Sequence, residues 1–64
     1  MFAAGSYVMV REGVSVAEGL EGVLCRVCGV HDDLRDIRRV DAATGAVIGI
    51  EVRFSVSELV SASR

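Results

Sequence analysis

From Ala46 to Phe54 every even position is apolar (Ala46, Ile48, Ile50, Val52, Phe54), and most odd positions are open or charged (Gly49, Glu51, Arg53). A period of two sustained this long fits only extended chain, where successive side chains point to opposite faces, and it predicts a strand whose even face lies in the core. Val is also the commonest residue of the chain. Its χ1-restricted side chain suits a pleated surface better than a helix, so strand is the default expectation elsewhere too.

The rest of the chain divides into similar short pieces. Ser6 to Arg11 alternates, with Val8 and Val10 on one face. Residues 12–21 carry Gly13, Gly19 and three charges, which predicts a long surface loop that Val14 and Val16 pin or extend. Gly22 to Val30 reads as a second strand of imperfect pattern, with a bulge near Gly29 able to switch its phase. His31-Asp32-Asp33-Leu34 is a polar turn. Arg35 to Asp41 has Ile37 and Val40 three apart, which leaves open a bulged edge strand or a single helical turn. Asp41-Ala42-Ala43-Thr44-Gly45 has hairpin chemistry, Asp bonding its own backbone and Gly free to take positive φ. Ser55 followed by Glu58 has capping-box spacing, and with so little chain left it predicts one 3₁₀ turn and a short last strand. The expectation is an all-β, five-stranded fold around Val8, Val10, Leu24, Ile48, Ile50 and Val52, one domain spanning residues 1–64.

A chain of 64 residues buries only roughly 60% of the surface its unfolded form exposes. Against that geometry a 52% hydrophobic share is high and predicts apolar surface left over, most simply hidden between copies of the chain. The longest uncharged runs, Met1–Val10 and Ala42–Ile50, fall short of the about 20 residues of a spanning helix, and the first positive side chain is Arg11. The expected location is therefore cytoplasmic, with Cys25 and Cys28 as reduced thiols. Nine acidic and seven basic residues give a net charge of -2, the wrong sign for capturing a polyanion.

The order of elements resembles that of the SH3-like small barrels, with a 3₁₀ turn before the closing strand. Phe2, Gly5, Val8, Val10, Gly13, Gly19, Gly22, Val23 and Val27 resemble the KOW version, in which Gly22 would be the KOW glycine. That resemblance implies nucleic-acid- or ribosome-associated roles. The length is also similar to that of the plasmid-borne trimethoprim-insensitive dihydrofolate reductases, tetramers of SH3-like chains with a Val-Gln-Ile-Tyr motif on the fourth strand. The corresponding segment here is Val52-Arg53-Phe54-Ser55, without the Gln and the Tyr, which makes the reductase a second alternative.

Candidate sites are few. Cys25, Cys28 and His31 form a soft donor set within a short span, but on a regular strand Cys25 and His31 share one face and Cys28 takes the other, so a metal site is the weaker reading and buried cysteines the stronger. His31 has no nucleophile beside it and reads as a solvated turn residue. Arg35, Arg38 and Arg39 interleave with Asp32, Asp33 and Asp36 as exposed, mutually neutralising pairs. Arg38, Arg39 and Arg53 are the binding candidates, suited to an acidic partner or a phosphate. No catalytic constellation and no cofactor site is read, which leaves a non-catalytic protein-binding or assembly module that self-associates.

Overall fold

A computed structural model describes residues 1–14 and 19–64. Among them are five strands, β1 (Tyr7–Val10), β2 (Cys25–His31), β3 (Leu34–Val40), β4 (Val47–Ser55) and β5 (Leu59–Ser61), with a 3₁₀ turn (Val56–Glu58) before the last. They form one antiparallel sheet in the order β4-β3-β2-β1-β5, so β4 and β5 are its edges. The all-β expectation holds, and so does the 3₁₀ turn. The Glu58 carboxylate accepts the Ser55 N–H at 2.9 Å, the contact that capping-box spacing exists to make.

The two hairpins follow from their turn residues. His31 pairs with Leu34, leaving Asp32-Asp33 as a two-residue turn with Asp32 at φ 51°, a left-handed conformation that Asp tolerates better than most. Between β3 and β4 the Asp41 carboxylate accepts the Ala43 N–H at 2.9 Å and its carbonyl accepts the Gly45 N–H at 2.7 Å, an Asx turn closed by a glycine of positive φ. β3 is thus a strand, not a helical turn, and it is central rather than an edge.

Two register shifts decide which side chains reach the core. In the β2–β3 ladder Val27 pairs with Ile37 but Gly29 pairs with Asp36, so Cys28 is an extra residue and the phase of β2 switches there, as the pattern near Gly29 predicted. In the β3–β4 ladder Ile37 pairs with Val52 and Arg39 with Ile48, so Arg38 alone spans Gly49, Ile50 and Glu51. Gly49 adopts φ 76° in that bulge, and its carbonyl accepts a 2.9 Å hydrogen bond from Arg38 Nε.

The core consists of Val8, Val10, Leu20, Cys25, Val27, Ile37, Phe54 and Leu59, with Phe2, Val14, Val23 and Val52 packed against it. This corrects the expected centre. Val8 and Val10 are buried, Leu24 and Val52 are half-buried, but Ile48 is 44% and Ile50 75% exposed. The reason is positional: β4 has a strand on one side only, and its bulge carries Gly49–Glu51 away from the regular ladder. Alternation names a face without guaranteeing that anything covers it. Val16 lies outside the described residues.

Candidate functional site

Opposed residues of an antiparallel ladder share a face, so the register sorts the charged side chains. On the face turned away from the core, Tyr7 pairs with Arg26 and Arg26 with Arg38, while Gly29 pairs with Asp36 and Asp36 with Arg53. Two cross-sheet rows therefore lie side by side, one of Tyr and two arginines, the other centred on a carboxylate.

Asp36 organises the second row. Its carboxylate accepts Arg53 Nε at 2.8 Å and Nη2 at 3.3 Å, and lies 2.8 Å from His31 Nε2. Hydrogen bonding from Arg53, joined by His31, holds its carboxyl below the usual carboxylate range in spite of burial. The same contact raises the Arg53 guanidinium, which also feels Glu51. Gly29 makes the arrangement possible: a Cβ there would lie 3.0 Å from Asp36 Oδ2 and 3.3 Å from His31 Nε2. His31 is accordingly an end-of-strand residue engaged with Asp36, where a solvated turn was expected.

The interleaved pairs expected around residues 32–39 are replaced by a different arrangement. Arg35 is buried, 6% exposed, and opposite Phe54 on the inner face. Its Nε donates to Phe2 O at 2.8 Å, Nη1 to Asp32 O at 2.6 Å and Leu34 O at 2.7 Å, and Nη2 to Met1 O at 2.7 Å. No carboxylate among the described residues forms an ion pair with it. Carbonyl dipoles solvate the charge, and in return the guanidinium ties residues 1–2 to the β2–β3 turn. No sequence signal separated Arg35 from its exposed neighbours; only the register does.

The structure parts the Cys25, Cys28 and His31 set. Cys25 is sealed in the core, and burial pushes its thiol up, with the Arg39 charge opposing. Cys28 is exposed at the bulge and points its thiol to the Arg26 carbonyl at 3.6 Å. Because the bulge switches the phase of β2, His31 lies on the outer face, not on that of Cys25 as a regular strand predicted.

The three binding candidates are likewise divided. Arg38 and Arg53 lie on the outer face, Arg53 bound to Asp36. Arg39 belongs to the inner face, opposite Cys25 and Ile48, and with Leu20, Gly49, Ile50 and Val52 it lines an open groove of about 410 Å³. A second cleft of about 520 Å³ is lined by Met9, Val10, Glu12, Glu21, Gly22 and Val60, with the Glu21 carboxylate accepting the Gly13 N–H at 2.6 Å. Comparison of the chain with family models, curated proteins and solved structures returns no match.

Proposed function

We propose that this chain is a non-catalytic assembly module of the SH3-like barrel class, and that its copies join through the apolar end of β4. The class rests on strand order, with a three-strand meander β2-β3-β4, β1 between β2 and β5, and a one-turn helix before the last strand. The observation that carries the function is Ile50: a large aliphatic side chain, 75% exposed, beside a groove whose other apolar walls are Leu20 and Val52. Knob and groove side by side suit a two-fold contact in which each Ile50 enters the partner's groove, the self-complementary geometry of isologous dimers.

Energetics set the strength. Fully burying one Ile is worth about 1.5–3 kcal/mol, so two such knobs supply about 3–6 kcal/mol, which reaches only the low end of an association cost of about 4–15 kcal/mol. Ile48 and Val52 add further apolar surface, giving a weak, concentration-dependent dimer. Light scattering coupled to size-exclusion chromatography tests this: mass per particle rises with loading concentration for the natural chain and stays at the monomer value for Ile50→Glu. A natural chain that is monomeric at every concentration removes the proposal.

The KOW-like reading would act through the outer face, where Arg26, Arg38 and Arg53 gather. Retention on heparin at low salt supports it, and complete flow-through excludes it. For the reductase alternative, turnover of dihydrofolate with NADPH is the deciding assay; Phe54 of the corresponding segment is core and Arg53 is bound to Asp36.

A further inference from the structure

As an end strand of the sheet, β4 has a hydrogen-bonding partner on one side only. Backbone groups of successive residues in an antiparallel strand point alternately towards one neighbour and the other, so the ladder shows which of them face the open side. Val56 N–H donates to Asp33 O at 2.8 Å, just past the pairing of Ser55 with Leu34, and across β3 the Val40 N–H donates to Leu24 O at 3.0 Å. Both bonds set the same phase: Phe54 and Val52 bond β3, while Ser55 and Arg53 turn their N–H and C=O groups outwards. The Ser55 N–H is taken by the Glu58 carboxylate at 2.9 Å. Arg53 is left with an outward N–H that meets no acceptor among the described residues.

The side chains around Arg53 complement themselves. On the outer face Glu51 and Arg53 carry opposite charges two residues apart, and Arg53 feels Glu51 in addition to Asp36. On the inner face Ile50 is 75% exposed and Val52 half-buried. A two-fold axis perpendicular to the sheet pairs two copies of β4 antiparallel, inner face beside inner face, and sets the residue on the axis against itself. An axis at Arg53 opposes two guanidiniums, and an axis at Glu51 opposes two carboxylates, both unfavourable. An axis at Val52 sets Val52 against Val52, each Glu51 against Arg53 of the other copy, and each Ile50 against Phe54 of the other copy. The Arg53 guanidinium stays on Asp36 in this register, and the glutamate of the other copy adds attraction from across the new pair.

We propose that two copies of the chain join edge to edge at β4, antiparallel and centred on Val52, with the backbone of Arg53 bonded to that of Glu51 in the other copy. This rests on the self-association through Ile50 and names its register and backbone contacts. Ile50 then lies diagonal to Val52 of the other copy, which is a wall of the groove. An unpaired strand edge is a ready template for another chain, and a two-fold contact closes on itself. The bulge at Gly49–Glu51 and the Glu58 carboxylate at Ser55 limit the pairing to residues 51–53, so the product is a dimer rather than an extended sheet.

The test is amide hydrogen exchange of the natural chain, read by NMR at concentrations spanning the rise in mass seen by light scattering. Exchange at the Arg53 N–H is expected to slow in proportion to the dimer fraction. Ser61 is the control: Ala62 N–H donates to Tyr7 O at 3.1 Å, so the Ser61 N–H faces the other open edge, and its exchange stays constant. An isotope-filtered spectrum of mixed labelled and unlabelled chains is expected to show Val52 Hα in contact with Val52 Hα of the other copy, as in a non-hydrogen-bonded antiparallel pair. Glu51→Gln weakens association roughly twofold to thirtyfold through two lost cross-strand pairs, and Glu51→Arg weakens it further. A dimer whose Arg53 exchange ignores concentration, or which lacks the Val52 contact, overturns this register and leaves self-association through Ile50 standing. A chain monomeric at every concentration removes that reading and this one with it. The natural-chain measurements decide the matter even if a variant fails to fold.

Discussion

Replacing Arg35 with Met removes a buried charge and keeps an unbranched side chain of similar length, which isolates the guanidinium's contribution. Buried charges are often replaceable by apolar groups without loss, because the desolvation penalty disappears with them. Here a second term opposes that gain. Four carbonyls accept from this one group: those of Asp32 and Leu34 lie near it in sequence, whereas those of Met1 and Phe2 lie 34 and 33 residues away. The two local carbonyls sit at an exposed turn and regain water cheaply. The two distant ones represent the tie between residues 1–2 and the β2–β3 turn, at about 1.5 kcal/mol or more for each hydrogen bond to a charged group, so about 3 kcal/mol in all. A 64-residue chain has a total stability of only about 3–10 kcal/mol at about 0.05–0.15 kcal/mol per residue. The substitution thus removes between a third and all of it. Urea unfolding followed by circular dichroism reads the change as a lower midpoint at unchanged slope. Arg35→Lys, which keeps charge but lacks the fork, falls between the two. If Arg35→Met matches the natural chain within about 0.5 kcal/mol, a value typical of surface substitutions, the guanidinium does not tie these segments and the reasoning fails.

Other outcomes follow from the same contacts. The Asp36 carboxyl titrates below its unfolded value, so the stability it contributes is present above the ordinary carboxylate pKa of about 3.9 and is lost as pH falls through the lower, folded value. Asp36→Asn therefore flattens the acid limb of a stability-against-pH curve, and an unchanged limb contradicts the assignment. Gly29→Ala pushes a methyl against Asp36 and His31 and shifts the His31 ring resonances towards those of a solvent-exposed imidazole; unaltered resonances show that the contact tolerates a Cβ. In the native state a thiol reagent modifies Cys28 rapidly and Cys25 only at the rate of opening, giving one fast equivalent where two would refute the burial of Cys25. Glu58→Ala costs about 1 kcal/mol through the lost contact to the Ser55 N–H, measured by the same urea titration.

What the residues revealed in advance was local chemistry. Asp41 and Gly45 announced the β3–β4 turn, Ser55 and Glu58 the 3₁₀ turn, and the alternation around Val52 and Phe54 a strand with an inward face. Long-range register was hidden. The inner parity of β3 reads Arg35, Ile37, Arg39, so the strand displays no apolar alternation although its centre is fully buried, and that is why Ile37 and Val40 resembled a helical turn. Ile48 and Ile50 share the parity of Val52, yet the bulge at Gly49 and the edge position of β4 leave them uncovered. The outer-face site was legible in part: Arg38 and Arg53 were visible as cations, but Arg26 joins them only through its pairing with Arg38, and the buried Arg35 looked like any other charge in its run.

The most direct measurement of the central claim is an isotope-filtered NOE experiment on a one-to-one mixture of labelled and unlabelled chains. The account predicts intermolecular contacts from the Ile50 methyl groups to Leu20 and Val52 of the other copy, fading on dilution. Intermolecular contacts confined to other surfaces, or Ile50 methyls in contact with Ile37 and Leu59 of their own chain, would contradict it.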